Sequence, residues 1–138
     1  MTAQHPARAA ADKSRAAVIG KDKQAWLALM ADDICIEDPI GKSVVDPTGE
    51  GIRGKDNLDA FWDKNIAPNV YEFVVHHSYA AGNEVANHMT LKMLLGGGAM
   101  RAEVDGVFTY TVNDDGKITA LRGFWEMDQM MKTMRKAD

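Results

Sequence analysis

The chain has 138 residues, of which 46% are hydrophobic and 26% charged, and its net charge is -4. That length suits one domain with room for a core or a ligand cavity, and the composition is that of an ordinary soluble globular protein. The acidic balance and the lack of a basic, aromatic-interleaved stripe argue against nucleic acid and an anionic membrane as main partners.

Residues 1–6 read as a disordered lead to a single domain spanning 1–138. An Ala-rich helix is expected from Arg8 to about Ile19, with Ala7, Ala10, Ala11, Ala17 and Val18 on one side and Gly20 as its terminating C′ glycine. Asp22 is placed to cap a second helix carrying Trp26, Leu27, Leu29 and Met30. A strand follows, in which alternation puts Ile34, Ile36 and Asp38 on one face and Cys35 on the other. Cys35 is the only cysteine. It excludes an internal disulfide, has no His or Lys placed to activate it, and reads as an inert thiol. With no apolar leader and no run of about 18 apolar residues, the expected setting is cytoplasmic.

Gly41 to Gly54 is a polar loop, and Lys55 to about Asn65 an amphipathic helix with Leu58, Phe61 and Trp62 inward. Four strands then read as Val70–Tyr79, Glu84–Leu95, Ala99–Asn113 and Lys117–Met127. The connections Ala81-Gly82-Asn83, Gly96-Gly97-Gly98 and Asp114-Asp115-Gly116 are good hairpin turns. Along the third of these strands Met100, Ala102, Val104, Gly106, Phe108, Tyr110 and Val112 form a nearly continuous apolar face. Residues 128–138 read as a tail ending in a short helix or fray. The expectation is an α+β domain with helices packed on one face of an antiparallel sheet.

Several apparent motifs dissolve on inspection. Gly49-Glu50-Gly51-Ile52-Arg53-Gly54 matches G-x-G-x-x-G, but Asp46-Pro47-Thr48 precedes it where a dinucleotide fold needs a strand. His76 and His77 are expected on opposite strand faces and His88 on the face away from Met89. No histidine pair shows metal-ligand spacing, so neither a metal nor an organic cofactor is expected. Met127, Met130, Met131 and Met134 fall at helical spacing, which fits core docking better than a lid over an apolar ligand. Asp38 remains. It is either a strand-end aspartate capping the loop after Pro39 or a carboxylate kept in an apolar interior for chemistry.

The segment Met30-Ala31-Asp32-Asp33-Ile34-Cys35-Ile36-Glu37-Asp38-Pro39-Ile40-Gly41 resembles the ketosteroid isomerases, within the nuclear-transport-factor-2-like (SnoaL-like) group. The resemblance continues through Gly54-Lys55-Asp56-Asn57-Leu58-Asp59-Ala60-Phe61-Trp62 and resumes at Asp114-Asp115-Gly116-Lys117-Ile118 and Gly123-Phe124-Trp125. It implies a cone in which three N-terminal helices close a strongly curved, mostly antiparallel sheet around an apolar cavity. It also implies a homodimer through the outer sheet face (Arg101, Asp105, Val107 and Thr109), a steroid-like apolar ligand, and Asp38 as a general base that moves a proton between carbons.

The family's oxyanion donors are not carried over. Ser14 falls where the family has a tyrosine, and Phe108 where it has a protonated aspartate. Tyr110 is the expected substitute donor, with the Trp125 indole as another. Ser14, Trp26, Phe61, Met89, Phe108 and Trp125 are the expected substrate contacts. A non-catalytic steroid or lipid binder is the alternative, and epoxide hydrolysis or cyclisation a weaker one.

Overall fold

The computed structural model describes residues 4–137. Residues 1–3 of the expected lead lie outside that range. The rest of the lead is ordered: α1 (Pro6–Ile19) begins at Pro6, a residue suited to a first helical turn because its missing N–H is not needed there. His5 caps the helix, its Nδ1 accepting from the Ala7 amide at 3.1 Å while Nε2 donates to the Gly82 carbonyl at 2.8 Å. The helix stops at Gly20, but Gly20 is right-handed (φ -80°) and the left-handed position falls on Lys21 (φ 56°). Lys21 is held there by its ammonium, which donates to the carbonyls of Ile66 and Asn69.

Asp22 caps α2 (Lys23–Ala28) by accepting from the Ala25 amide at 3.1 Å. The chain then enters β1 (Met30–Glu37), where Ile34 and Ile36 are buried as alternation required. The polar loop is more ordered than its composition suggests. Asp46 is buried within it, one carboxylate oxygen accepting from the Gly51 amide at 2.8 Å and the other from Thr48 Oγ1 at 3.2 Å. The loop returns as β2 (Ile52–Arg53), paired to Cys35 and Ile36. Helix α3 (Lys55–Phe61) continues as a π-helical turn, Trp62–Ile66, with the Ala67 amide on the Trp62 carbonyl at 2.8 Å.

The meander is β3 (Val70–Ala81), β4 (Glu84–Leu95), β5 (Met100–Val112) and β6 (Ile118–Phe124). The sheet order is β2-β1-β6-β5-β4-β3, antiparallel throughout except that β1 runs parallel to β6. Helix α1 lies across β3, β4 and β5, and its alanine face lets the backbones approach closely. The expected curved α+β cone is therefore present, with one addition. The tail does form a short helix, α4 (Met127–Thr133), but a further strand, β7 (Arg135–Lys136), follows it, and β6 stops at Phe124 where it was expected to run on to Met127.

Strand β5 outruns β6, leaving its first residues unpaired on that side. Strand β7 pairs there with Met100 and Arg101, and Thr133 Oγ1 accepts from the Glu103 amide at 2.8 Å. Met130 is buried and Met127 and Met134 pack against the core, which docks this edge cover, whereas Met131, also expected to dock, is exposed. An unprotected edge is what such covers prevent.

Asp46→Ala removes both acceptors from the loop interior and leaves the Gly51 N–H without a partner. Chemical denaturation should show a loss of about 1–3 kcal/mol.

Candidate active site

The inner faces of β1, β3, β4, β5 and β6, with α1, α2, α3 and the π-helical turn, line a cavity of about 100 Å³. Asp38 and Arg15 bring the one carboxyl and the one guanidinium group, among the described residues, to an otherwise largely apolar and aromatic wall. Of the expected contacts, Ser14, Trp26, Phe61, Met89, Phe108 and Tyr110 all line this space. Trp125 does not, but it touches Asp38: its Nε1–H donates to Oδ1 at 2.5 Å.

Sheet register explains how Asp38 reaches its place. Glu37 pairs with Arg122, and the Ile40 amide donates to the Gly123 carbonyl at 3.1 Å, so Asp38 lies beside Gly123. Phe108 pairs with Gly123 on the other side, and Asn87 with Phe108. Gly123 is required here by space, not by backbone angle. A Cβ at that position would collide with Asp38 Oδ1 and stand 3.0 Å from Trp125 Nε1. Gly106 does the same service one pleat away, where a Cβ would meet the Phe124 carbonyl and the Trp125 Cβ. Two glycines thus let the carboxylate and the indole meet over the sheet.

Asp38 is half-buried and lines this largely apolar cavity. Removal from water raises its pKa above the ordinary carboxylate value, and the Trp125 hydrogen bond opposes that rise. Tyr110 is buried and its phenol is pushed up to about 12, chiefly by burial. The nearby Arg15 charge pulls it down, with a smaller contribution from the neighbouring Ser14, while the Asp38 charge pushes it up. At neutral pH Tyr110 is therefore an O–H donor. Tyr71 also lines the cavity, but its hydroxyl already donates to the Asn65 carbonyl at 2.5 Å.

The expected role of Trp125 as an oxyanion donor changes: its single N–H is committed to Asp38. Cys35 keeps a thiol pKa raised by burial, in line with an unreactive group. Arg15, Tyr71 and Phe73 are lining residues that the sequence reading missed. Arg15 had a signal, since it sits four residues after Ala11 and three before Val18, squarely on the apolar face of α1.

The histidines need a correction. A register shift between Val75 and His77 interrupts alternation, and a bulge of this kind re-aims a side chain. His76 and His77, expected on opposite faces, consequently share the outer face with His88, their ring centroids 4.8 Å and 6.0 Å from that of His88. His88 Nε2 meets Asp105 Oδ1 at 3.1 Å, and His76 Nε2 meets Thr90 Oγ1 at 2.8 Å. His88 thus points away from the cavity, as expected.

Residues 11–121 match the model of the SnoaL-like domain, and the chain belongs to that family. It is similar to a steroid Delta-isomerase of Nocardioides simplex, 26% identical over 117 residues that cover 85% of this chain and 87% of that one. It is more similar to a Delta 5-3-ketosteroid isomerase from Mycobacterium sp., 43% identical with a TM-score of 0.87, covering 97% of this chain and 100% of that one. A Mycobacterium tuberculosis protein, solved in complex with estradiol-17beta-hemisuccinate, is also 43% identical, with a TM-score of 0.86 and coverage of 96% and 99%. An M. tuberculosis epoxide hydrolase, 22% identical with a TM-score of 0.76 and coverage of 94% and 88%, shares the fold alone.

Two measurements test this geometry. The native state binds the Asp38 proton over a pH range in which the unfolded chain has released it. Stability contributed at this group is therefore greatest below the ordinary carboxylate pKa and falls as pH rises towards the elevated one. Asp38→Asn should melt higher than the wild type at about pH 8, with the gap closing near about pH 4. Gly123→Ala should displace the carboxylate from the indole, detected as a changed Trp fluorescence and a melting temperature lower by several degrees.

Proposed function

We propose that this protein is a steroid Δ-isomerase-like enzyme that shifts a carbon–carbon double bond of a flat, apolar, unsaturated ketone. The observation that carries this reading is the Asp38 carboxylate, held at the wall of an apolar cavity by one indole N–H and made more basic by loss of water. Asp38 takes a proton from the carbon between the carbonyl and the double bond. The electron pair of that C–H bond moves into the carbonyl, leaving the oxygen negative. The carboxylic acid then returns the proton two carbons along, and the new double bond is conjugated with the carbonyl. The elevated pKa makes both transfers more nearly balanced than with an ordinary carboxylate.

Tyr110 is the donor to the developing oxyanion. It is buried, remains protonated at neutral pH, and its hydroxyl is not taken by a backbone carbonyl as that of Tyr71 is. The wall supplies hydrophobic contact from Trp26, Phe61, Met89 and Phe108, with Ser14 widening the space beside Tyr110. A volume of about 100 Å³ is below the roughly 300 Å³ or more usual for drug-sized ligands. A fused-ring ketone therefore has to press the half-buried Phe61, Tyr71 and Phe73 outward. No metal or organic cofactor enters this sequence of steps. A second copy of the chain is placed on the outer sheet face, where Tyr79, Val107 and Phe124 stand exposed.

The second reading is a steroid or lipid binder without turnover. It is favoured by Ser14 and Phe108 lining the cavity where the resemblance would put two acidic donors. Epoxide hydrolysis would need a second carboxylate around water, and Asp38 is the only carboxylate lining the cavity among the described residues.

A β,γ-unsaturated 3-ketosteroid, followed by the ultraviolet absorbance of the conjugated enone, separates the readings. Turnover is expected, with Asp38→Asn lowering it by about 10²–10⁴ and Tyr110→Phe by about 10²–10³. The acid limb of kcat/KM should lie above the ordinary carboxylate pKa, and His88→Ala should leave turnover unchanged. Tight steroid binding with no enone formation would leave only the binder.

A further inference from the structure

Arg15 is the least expected group in the cavity. An arginine that lines an apolar space is costly unless its donors are used, because each N–H removed from water forfeits hydrogen bonding. Residue Arg15 is 8% exposed. Its Nη2 is paired with the half-exposed Asp12 one turn earlier, and Nη1 is buried with no partner. The guanidinium is therefore tethered at one nitrogen and has an unused donor at the other.

Its surroundings narrow what that donor is for. Ser14, Arg15 and Tyr110 line the same space, α1 supplying the first two across from β5. Tyr110 shares a row of the sheet with Val85, and Asn87 lies diagonally from it on the same buried face of β4. Asn87 is 1% exposed, and both its side-chain Oδ1 and Nδ2 lack partners. Polar atoms this deep are normally satisfied by protein, water or ligand. The acid of the site, Asp38, belongs instead to the β1–β6 side of the cavity, beside Gly123 and Trp125.

We propose that Arg15 and Tyr110 together form an anion site for the oxygen of the ligand, taking an enolate in turnover and a phenolate in an inhibitor. This rests on the isomerase reading and deepens it by naming the charge that replaces the acid missing at Phe108. A full positive charge in an apolar space stabilises a developing oxyanion more than a neutral donor does. It also selects ligands: a flat apolar body bearing one oxygen that is acidic or becomes negative.

The test reads charge rather than turnover. 4-Nitrophenol is bound to the full-length Asp38→Asn protein, in which a neutral amide at position 38 stands for the site after proton transfer. The phenol–phenolate equilibrium is followed by visible absorbance. The apparent pKa of the bound phenol should lie below its value in water. Adding Arg15→Gln should raise it by about a unit or more, roughly a tenfold loss in the phenolate-to-phenol ratio. Arg15→Lys should retain part of the shift, since it keeps the charge and loses the planar fork. It also keeps the experiment decisive if Arg15→Gln does not fold, as checked by circular dichroism.

An unchanged bound pKa in Arg15→Gln, or in Arg15→Lys when only that variant folds, overturns the anion site. A shift lost on Arg15→Gln with no enone formed by the wild type keeps the anion site and removes the isomerase. Enone formation that is unaltered by Arg15→Gln removes Arg15 and keeps the isomerase.

Discussion

The site depends on one close approach, that of the Asp38 carboxylate to the backbone of Gly123. Parallel pairing of β1 with β6 brings the end of β1 beside that glycine, and the missing side chain leaves the volume in which Oδ1 sits. The Trp125 indole can then reach the same oxygen because Gly106 leaves room for the turn that carries it. A larger residue at either glycine separates carboxylate from indole. The chemistry of the carboxylate is thus set by sterics two strands deep. Burial raises its pKa, and the single hydrogen bond from Trp125 opposes that rise.

Much of this was legible in the sequence because strands have a period of two. Ile34 and Ile36 announced which way Asp38 would point, and the long apolar row from Met100 to Val112 announced the wall opposite it. Where the period breaks, legibility ends. The shift between Val75 and His77 put His76 and His77 on the same outer face, and nothing in that run marks a bulge, since it contains neither glycine nor proline. The two-residue strand Ile52–Arg53 and the buried Asp46 were hidden for a related reason: a loop's internal hydrogen bonds follow from its closed shape, not from any periodicity.

Helix α1 shows a different limit. Its alanines were read as the face that packs on the sheet, and they do. Arg15 lies on that same face, where a charged residue is ordinarily assigned to solvent. Periodicity gave the position and composition argued against it, so the sequence reading did not single the arginine out. The same trap did not catch Asp38, because its two neighbours on the face are Ile34 and Ile36, whereas those of Arg15 are small and ambiguous.

The cavity therefore holds one carboxylate and one guanidinium that are not each other's partners. Arg15 is tethered to Asp12 and Asp38 to Trp125, so each charge has one anchor outside the space they share. Had they paired directly, the guanidinium would have favoured the ionised form of Asp38 and made the carboxylate a poor base. Tyr110 registers both charges, lowered by one and raised by the other, with burial deciding that it stays protonated. Keeping opposite charges apart within one apolar enclosure makes a site that is polarised before any ligand enters. A ligand that develops negative charge at one oxygen while losing a proton at a nearby carbon matches that polarity, and one that only fills the space does not.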